Sequence, residues 1–278
     1  MKLRTRLTLA LHRRLMLALR ELRHPAERSR ARSALAHTVD ERAFVSADDR
    51  LERWVGITRN ASAERRRAVL AQAGHSRAQL MQDLFVVSEL GEKRGAGFFV
   101  EFGAANGVDL SNSWMLETRL GWKGILAEPA RCWHAALRQN RSCAIDEECV
   151  WARTGELLDF DEVGEAEFST LSEFSQVDGH ALVRTNRKRY QVPTVSLNDL
   201  MRRYDAPAEP DYLSIDTEGS EFAILREFDF DRYRFKVITC EHNHTPMRGE
   251  IHRLLTAAGY RRKLEELSCF DDWYVRTE

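Results

Sequence analysis

The sequence of 278 residues predicts an α/β fold in which a parallel sheet carries helices on both faces. Two features support this prediction. From Gly97 onward, short apolar runs typical of strands alternate with segments that have the spacing of helices. The first run, Phe98–Phe102, leads into a loop in which Gly103 and Gly107 have the spacing of a tight strand-to-helix turn. In an open α/β sheet such a turn forms a cofactor crevice at the carboxyl end of the first strand.

The later elements follow from the same alternation. Each predicted strand is a short apolar run, and these runs are Phe98–Phe102, Gly124–Ala127, Cys149–Ala152, Tyr212–Ile215 and Val237–Cys240. Helices are predicted between and after them, at Asn112–Arg119, Cys132–Gln139, Leu197–Arg203, Glu221–Glu227 and Arg248–Ala258. Gly259 ends the last helix, and two further apolar stretches follow, at Tyr260–Leu264 and Trp273–Val275.

Two acidic residues indicate which ligand the crevice takes. Glu101 stands where the first glycine of a dinucleotide-binding G-x-G-x-x-G loop would be, and a negative charge suits a cationic ligand better than a pyrophosphate. S-adenosylmethionine, with its ammonium and sulfonium groups, is such a ligand. Glu128 ends the second strand, where an acid commonly binds a ribose hydroxyl pair. The alternative is that both are exposed acids at strand ends.

Asp216 is the first candidate for catalysis. The apolar run Tyr212–Ile215 delivers it to the end of the sheet beside the crevice, and Glu218 and Glu221 follow as supporting candidates. A hydroxyl acceptor must lose a proton, so Asp216 would act as a base or would bind a divalent ion that acidifies the hydroxyl. The alternative is that Asp216 is the N-cap of the next helix.

Glu241, His242, Asn243 and His244 follow the next strand. In an extended segment Glu241 and Asn243 point one way and the two histidines the other, so only one pair faces the crevice. With Asp216, Glu241 would hold a Mg²⁺-like ion, or His242 would act as a general base. Structural hydrogen bonding is the third alternative, and no metal is assigned from the sequence.

Several segments resemble the FkbM-type methyltransferase domain. They occur in the order of that family and cover about two thirds of the chain, from about Gly97 to the C-terminus. Ser214 departs from the pattern, because many members carry lysine there. The resembling segments are Glu101–Gly107, Ser111–Asn112, Leu116–Glu117, Gly121–Gly124, Ala127–Pro129, Val195–Leu200, Asp211–Glu221 and Glu241–Asn243.

The resemblance implies a class I S-adenosylmethionine-dependent methyltransferase, most often one that methylates oxygen. Its fold would be Rossmann-like, with a mostly parallel seven-stranded sheet that a C-terminal antiparallel hairpin closes. The implied acceptor is a hydroxyl of a sugar, another glycan or a secondary metabolite. The predicted catalytic residues are Asp216, Glu241 and His242. The predicted cofactor-binding residues are Glu101, Gly103, Ala104, Asn106, Gly107, Ser111, Asn112, Glu128, Pro129, Asp146 and Asp216.

Two regions are expected to complete the site. Asp146 would accept a hydrogen bond from the adenine amino group, unless it is an exposed loop acid. A long insertion before Val195, with Phe168–Leu171 and the cations between Arg184 and Arg189, would shape the acceptor pocket. The clustered cations would favour an anionic acceptor, or they lie in a solvated loop.

Composition restricts the class of partner. A net charge of −1 gives no global attraction for nucleic acid, and no recognised nucleic-acid-binding module is found. The five cysteines are odd in number and form no C-x-x-C pair, which predicts free thiols in a reducing cytoplasm.

The N-terminal region differs from the rest. In residues 1–32 basic side chains far outnumber the two acids, Glu21 and Glu27, and leucines recur at helical spacing up to His24-Pro25. This pattern predicts a basic amphipathic helix, neither a signal peptide nor a membrane span. It would bind a membrane surface peripherally, or pack on the catalytic domain or a second protomer, or the region would be disordered. We expect residues 1–45 as a helical extension, 46–96 as a helical cap and 97–278 as the methyltransferase domain.

Two rival functions remain open. One is a nicotinamide-dependent oxidoreductase, which Glu101 in place of the first glycine disfavours. The other is a non-catalytic, membrane-associated scaffold with a vestigial fold, which the acids at Glu101, Glu128 and Asp216 disfavour.

Overall fold

The computed structural model describes residues 47–163, 169–172 and 187–277. The chain divides into two compact units, and the second begins at Lys93. The predicted basic extension, residues 1–45, lies outside the described residues. Within the described part of the chain, no helix is both long and apolar enough to cross a membrane.

The first unit is helical where it is described. It contains α1 (Ala47–Asn60), α2 (Ala63–Gln72), a short 3₁₀ turn (Ala73–His75) and α3 (Gln82–Leu90). The side chain of Ser62 caps α2 by accepting a hydrogen bond from the backbone N–H of Arg65. Residues 82–88 of α3 are buried, so this helix forms the centre of the unit.

The second unit is built on a seven-stranded sheet. Its strand order is β10-β11-β9-β8-β1-β2-β3. All strands run parallel except β11, which is antiparallel to β9 and to β10. The predicted mostly parallel sheet with a C-terminal antiparallel hairpin is therefore confirmed. The strands are β1 (Phe98–Phe102), β2 (Lys123–Ala127), β3 (Ala144–Asp146), β8 (Tyr212–Ile215), β9 (Val237–Glu241), β10 (Tyr260–Lys263) and β11 (Asp271–Arg276).

Six helices connect these strands among the described residues. The bounds of five of them differ from the predicted ones by no more than two residues at either end, and the sixth, the short helix Glu265–Ser268, was not predicted. The N-terminal difference at the first helix has a physical cause, because residues 111–113 form hydrogen bonds to β1 instead of a first helical turn. The helices are α4 (Trp114–Leu120), α5 (His134–Asn140), α6 (Leu197–Arg203), α7 (Glu221–Arg226), α8 (Met247–Ala257) and α9 (Glu265–Ser268).

The core of the second unit lies between the sheet and its helices. Strand residues such as Val100, Leu213 and Ile238 are fully buried against Leu200 of α6 and Leu255 of α8. The strands β8 and β9 are buried along their whole length. Covered strands of this kind produce continuous apolar runs, which is why the sequence located them well.

A second, four-stranded sheet has the order β4-β7-β5-β6. We call it the small sheet. Its strands are β4 (Cys149–Trp151), β5 (Leu157–Val163), β6 (Thr170–Leu171) and β7 (Arg187–Ser196).

The small sheet corrects one prediction and extends another. The run Cys149–Ala152 was predicted as a strand of the parallel sheet, and this placement is wrong. The strand β4 forms there, but it pairs with β7 of the small sheet. The edge position next to β2 belongs to β3. The insertion predicted before Val195 contains most of the small sheet. Its strands β5 and β7 carry many charged residues, so their apolar signal is weak. Phe168 and Arg184 lie outside the described residues.

Candidate active site

The carboxyl ends of four parallel strands place the predicted site residues in one row. Phe102 of β1 is in register with Ala127 of β2 and with Ile215 of β8, and Ile215 is in register with Cys240 of β9. The residue that follows each of these positions therefore lies at the same edge of the sheet. These residues are Gly103, Glu128, Asp216 and Glu241.

Gly103 holds the turn after β1 against the end of β8. Its φ is +70°, and a Cβ atom on it would lie 2.0 Å from the carbonyl oxygen of Asp216. Glycine alone satisfies both the left-handed backbone and this close approach. The predicted tight turn is thus fixed to the strand that carries Asp216.

Glu128 holds the same turn from the side of β2. Its side chain is buried, Oε2 accepts a hydrogen bond from the N–H of Ala105 at 2.8 Å, and Oε1 accepts one from the N–H of Ala130 at 2.8 Å. Burial raises the pKa of Glu128 to about 7, and the nearby carboxylates of Asp216 and Glu162 add to this shift. Each oxygen keeps one lone pair for a further donor.

Glu101 organises the loop before α4. Its carboxylate accepts hydrogen bonds from Ser111 Oγ at 3.0 Å, from the N–H of Asn112 at 2.7 Å, and from Ser113 Oγ. Glu101 and Glu128 are both buried, so neither is an exposed acid at a strand end. The structure places Glu101 below the loop that it shapes.

The amides of this loop have distinct partners. Asn106 Oδ1 accepts hydrogen bonds from the N–H groups of Val108 and Asp109, both at 2.9 Å. Asn112 Nδ2 donates to Ser214 Oγ at 2.9 Å, so Ser214 has a defined partner at the position where the family often has lysine. Asn112 Oδ1 is buried and accepts no hydrogen bond among the described residues.

Arg141 was missed in the sequence, and it connects the whole loop. Its side chain is fully buried, and Nε donates to Glu117 at 2.6 Å. Its Nη atoms donate to the carbonyl of Gly107, to Ser111 Oγ and to Ser113 Oγ. Burial alone would raise the pKa of Glu117, but Arg141 and hydrogen bonds from Ser142 hold it below its ordinary value. Arg141 follows the end of a polar helix, so its sequence context gives no signal of burial.

Asp216, Glu218 and Glu241 form a cluster of carboxylates at the ends of β8 and β9. One oxygen from each residue lies within 4.8 Å of one oxygen from each of the other two. Asp216 and Glu241 are therefore neighbouring carboxyl groups. Burial raises the pKa of Asp216 to about 6, and burial and the neighbouring Asp216 raise the pKa of Glu241 well above its ordinary value.

Glu221 has a local structural role. Its Oε1 accepts hydrogen bonds from the N–H groups of Thr217 and Gly219 and from Thr217 Oγ1, at 3.0 to 3.1 Å. Helix α7 begins there with Ser220 as its N-cap residue, so Asp216 is not the N-cap of this helix. The Asp216 side chain is left for the carboxylate cluster.

His242 has its contacts elsewhere. Its Nδ1 accepts a hydrogen bond from the N–H of His244 at 3.0 Å, and its Nε2 lies 3.8 Å from Asp272 of β11. Burial lowers the pKa of His242 to about 4, so the imidazole is neutral near neutral pH. Of the two pairs weighed in the sequence, Glu241 and Asn243 are the ones that contact the carboxylate cluster, where Asn243 Nδ2 donates to Glu218.

Asp146 and two of the predicted cations, Arg187 and Arg189, are paired within the protein. Asp146 at the end of β3 forms an ion pair of 2.6 Å with Arg203 of α6. Arg187 and Arg189 of β7 both pair with the buried Asp161 of β5. These two arginines therefore stabilise the small sheet and are not a free patch of positive charge.

The small sheet contacts the same edge of the main sheet. Thr170 Oγ1 of β6 donates a hydrogen bond to the carbonyl of Glu218 at 3.0 Å. Tyr190 Oη of β7 accepts one from the N–H of Arg131, in the loop after β2, and donates one to Glu162. The insertion thus lies beside the carboxylate cluster and beside the loop that follows Glu128.

Comparisons with known proteins identify the family of the chain. Residues 101–262 match the family of the methyltransferase FkbM domain. Among solved structures, the crystal structure of methyltransferase FkbM from Methylobacillus flagellatus KT aligns with 82% of this chain, at 12% identity and a TM-score of 0.44. The chain spans 59% of that protein's length. No curated protein matches the sequence significantly.

Proposed function

The chain belongs to the FkbM methyltransferase domain family, and from this premise we propose that it transfers the methyl group of S-adenosylmethionine to a hydroxyl oxygen. The observation that carries the proposal is the row at the carboxyl edge of the sheet. There Gly103, Glu128 and Asp216 follow three adjacent strands. The turn at Gly103 lies against the carbonyl of Asp216, and Glu128 accepts a hydrogen bond from the same turn.

The residues at this edge fit the cofactor by their chemistry. They offer oxygen acceptors, namely the buried carboxylate of Glu128 and the buried Oδ1 of Asn112, which accepts no hydrogen bond among the described residues. The ribose hydroxyls and the ammonium group of S-adenosylmethionine are donors. We assign the ribose to Glu128, the methionine end to the turn at Gly103, and the adenine amino group to Asp146.

Bound S-adenosylmethionine would supply an electrophilic methyl group, whose bond to sulfur breaks as a bond to the acceptor oxygen forms. The other product is S-adenosylhomocysteine. The protein has to orient the acceptor hydroxyl and accept its proton. Asp216 and Glu241 lie together at the edge where the hydroxyl would approach, and we assign the proton to this pair. His242 faces Asp272, so we give it no part in this step.

The acceptor is proposed from the family alone, as a hydroxyl of a sugar, another glycan or a secondary metabolite. The contact between Thr170 and Glu218 supports a pocket bounded by the small sheet. A cytoplasmic location is proposed from the free cysteines. For the predicted basic extension, residues 1–45, a peripheral membrane contact or self-association stays a proposal.

The sheet order argues against the oxidoreductase alternative. A dinucleotide-binding sheet has six parallel strands in the order 3-2-1-4-5-6, whereas here β11 runs antiparallel between β9 and β10. The scaffold alternative predicts no turnover with any acceptor.

Isothermal titration of the full chain with S-adenosylhomocysteine tests the proposal. We expect one site per chain, no comparable heat with NAD⁺, and affinity lowered roughly tenfold or more by Glu128→Ala, because a hydrogen bond to a charged group contributes about 1.5–3 kcal/mol. The matched control is Glu266→Ala, at an exposed acid of α9. Circular dichroism verifies that the variants are folded. A folded wild-type chain that takes up NAD⁺ but no S-adenosylhomocysteine would contradict the proposal.

A further inference from the structure

The carboxylate cluster formed by Asp216, Glu218 and Glu241 has the composition of a cation site. Each residue contributes a carboxylate oxygen, and these oxygens lie within 4.8 Å of one another. Among the described residues, no ion pair joins Asp216 or Glu241 to a basic side chain. The neighbouring carboxylates of Asp216 and Glu241 repel each other unless a proton or a cation balances their charge.

Glu241 gives the second, independent observation. The residue is 8% exposed, and its Oε2 accepts no hydrogen bond in the part of the chain that the structure describes. A buried acceptor without a donor lowers the stability of the fold, so folded proteins rarely keep one without a function. One of its carboxylate oxygens lies within 4.8 Å of a carboxylate oxygen of Asp216.

We propose that Asp216, Glu218 and Glu241 bind one divalent cation that prefers oxygen ligands, such as Mg²⁺, Mn²⁺ or Ca²⁺. The donor set is all oxygen and contains no thiolate or imidazole, which excludes the ligand types that zinc prefers. Such ions use a few carboxylates and fill their remaining positions with water or with oxygens of a substrate.

The position of the ion would serve the proposed methyl transfer. The cluster lies at the ends of β8 and β9, where the acceptor hydroxyl is expected, and an ion there would offer that oxygen a ligand position. This role rests on the proposed function. Binding of the cation does not, because the three carboxylates belong to the protein alone.

Titration of the full chain with Mn²⁺, followed by electron paramagnetic resonance, tests the inference. We expect one Mn²⁺ per chain, displaced by Mg²⁺. The isosteric change Glu241→Gln should weaken Mn²⁺ binding about tenfold or more. Mutation of a residue that only hydrogen-bonds to a metal ligand already costs about tenfold in affinity, and loss of a ligand should cost at least as much. The control Glu162→Gln changes a half-buried acid outside the cluster and should leave the Mn²⁺ affinity unchanged.

The outcomes separate this inference from the proposed function. A folded wild-type chain that binds no Mn²⁺ saturably, or a Glu241→Gln variant with wild-type Mn²⁺ affinity, would overturn the inference and leave a shared proton as the balancing charge. Calorimetry with S-adenosylhomocysteine in the presence of EDTA reports on the cofactor site alone. Loss of that signal with Mn²⁺ binding retained would instead overturn the proposed function.

Discussion

At Gly103, the backbone conformation and the packing both require glycine. The φ of +70° strains any other residue, and the Asp216 carbonyl occupies the space that a Cβ would need. Gly155, in the turn before β5, has a φ of +87° but nothing within 4 Å of an added Cβ. These two glycines therefore separate the cost of strain from the cost of a clash.

We expect Gly103→Ala to destabilise the protein clearly more than Gly155→Ala. The strain of a left-handed alanine costs about 1–2 kcal/mol at either position. Only at Gly103 must the end of β8 also move, which should lower the affinity for S-adenosylhomocysteine as well. Urea unfolding and calorimetry of both variants provide the measurements. Equal losses of stability in the two variants would show that the close contact has no energetic weight.

Burial of Glu128 makes folding depend on pH. Its pKa rises from an ordinary value of 4.5 to about 7 in the folded chain. Between these pH values the folded state therefore binds more protons than the unfolded state, so the contribution of Glu128 to stability falls as pH rises. Across the window this loss amounts to about 3 kcal/mol.

We expect Glu128→Gln to remove this slope, because an amide does not titrate. The free energy of unfolding in urea, measured at several pH values between 4.5 and 7 without cofactor, gives the slope for each protein. Titrating groups that do not interact with Glu128 contribute equally to both proteins and cancel in the difference. Parallel pH profiles for wild type and variant would show that the carboxyl group is ionised normally.

At the scale of elements, the end of α5 supports the glycine loop through Arg141. The side chain is fully buried and joins Glu117 of α4 to the loop between β1 and α4. Arg138, on the same helix, has a side chain that is 60% exposed and pairs with Glu147. The two arginines are a matched pair of one buried and one exposed cation.

We expect Arg141→Ala to cost roughly 3–5 kcal/mol, because it leaves Glu117 buried without its charge partner. Arg138→Ala should cost less than about 1 kcal/mol, as for other exposed ion pairs. Chemical unfolding measures both. If Arg141→Ala were as mild as Arg138→Ala, solvent would have to reach Glu117, contrary to the observed burial.

Some strands can be located from their own residues, whereas the sheet to which others belong depends on pairing with distant strands. Strands such as Tyr212–Ile215 are buried on both faces, so a continuous apolar run marked them in the sequence. The placement of β3 and β4 was not marked in this way. Both are three-residue strands three positions apart, and only pairing with β2 or β7 assigns each to its sheet.

At the scale of the whole molecule, the two sheets contribute different parts of the candidate site. The main sheet places four strand ends in one row, and the small sheet adds contacts from Thr170 and Tyr190 beside that row. The antiparallel β11 lies between β9 and β10 and buries Asp272 near His242. Topology thereby draws His242 to one side of β9 and Glu241 to the other.

The sequence by itself determined the parallel fold, the tight turn at Gly103, and the presence of Glu128, Asp216 and Glu241 at strand ends. These features depend on local patterns, such as apolar runs and glycine spacing, and a short stretch of sequence contains each pattern completely. The tertiary structure alone decided that Arg141 is buried, that Glu218 joins Asp216 and Glu241, and that two arginines of β7 pair with Asp161. Each of these depends on which distant side chains share a low-dielectric environment, and pairing across dozens of residues leaves no periodic trace in the sequence.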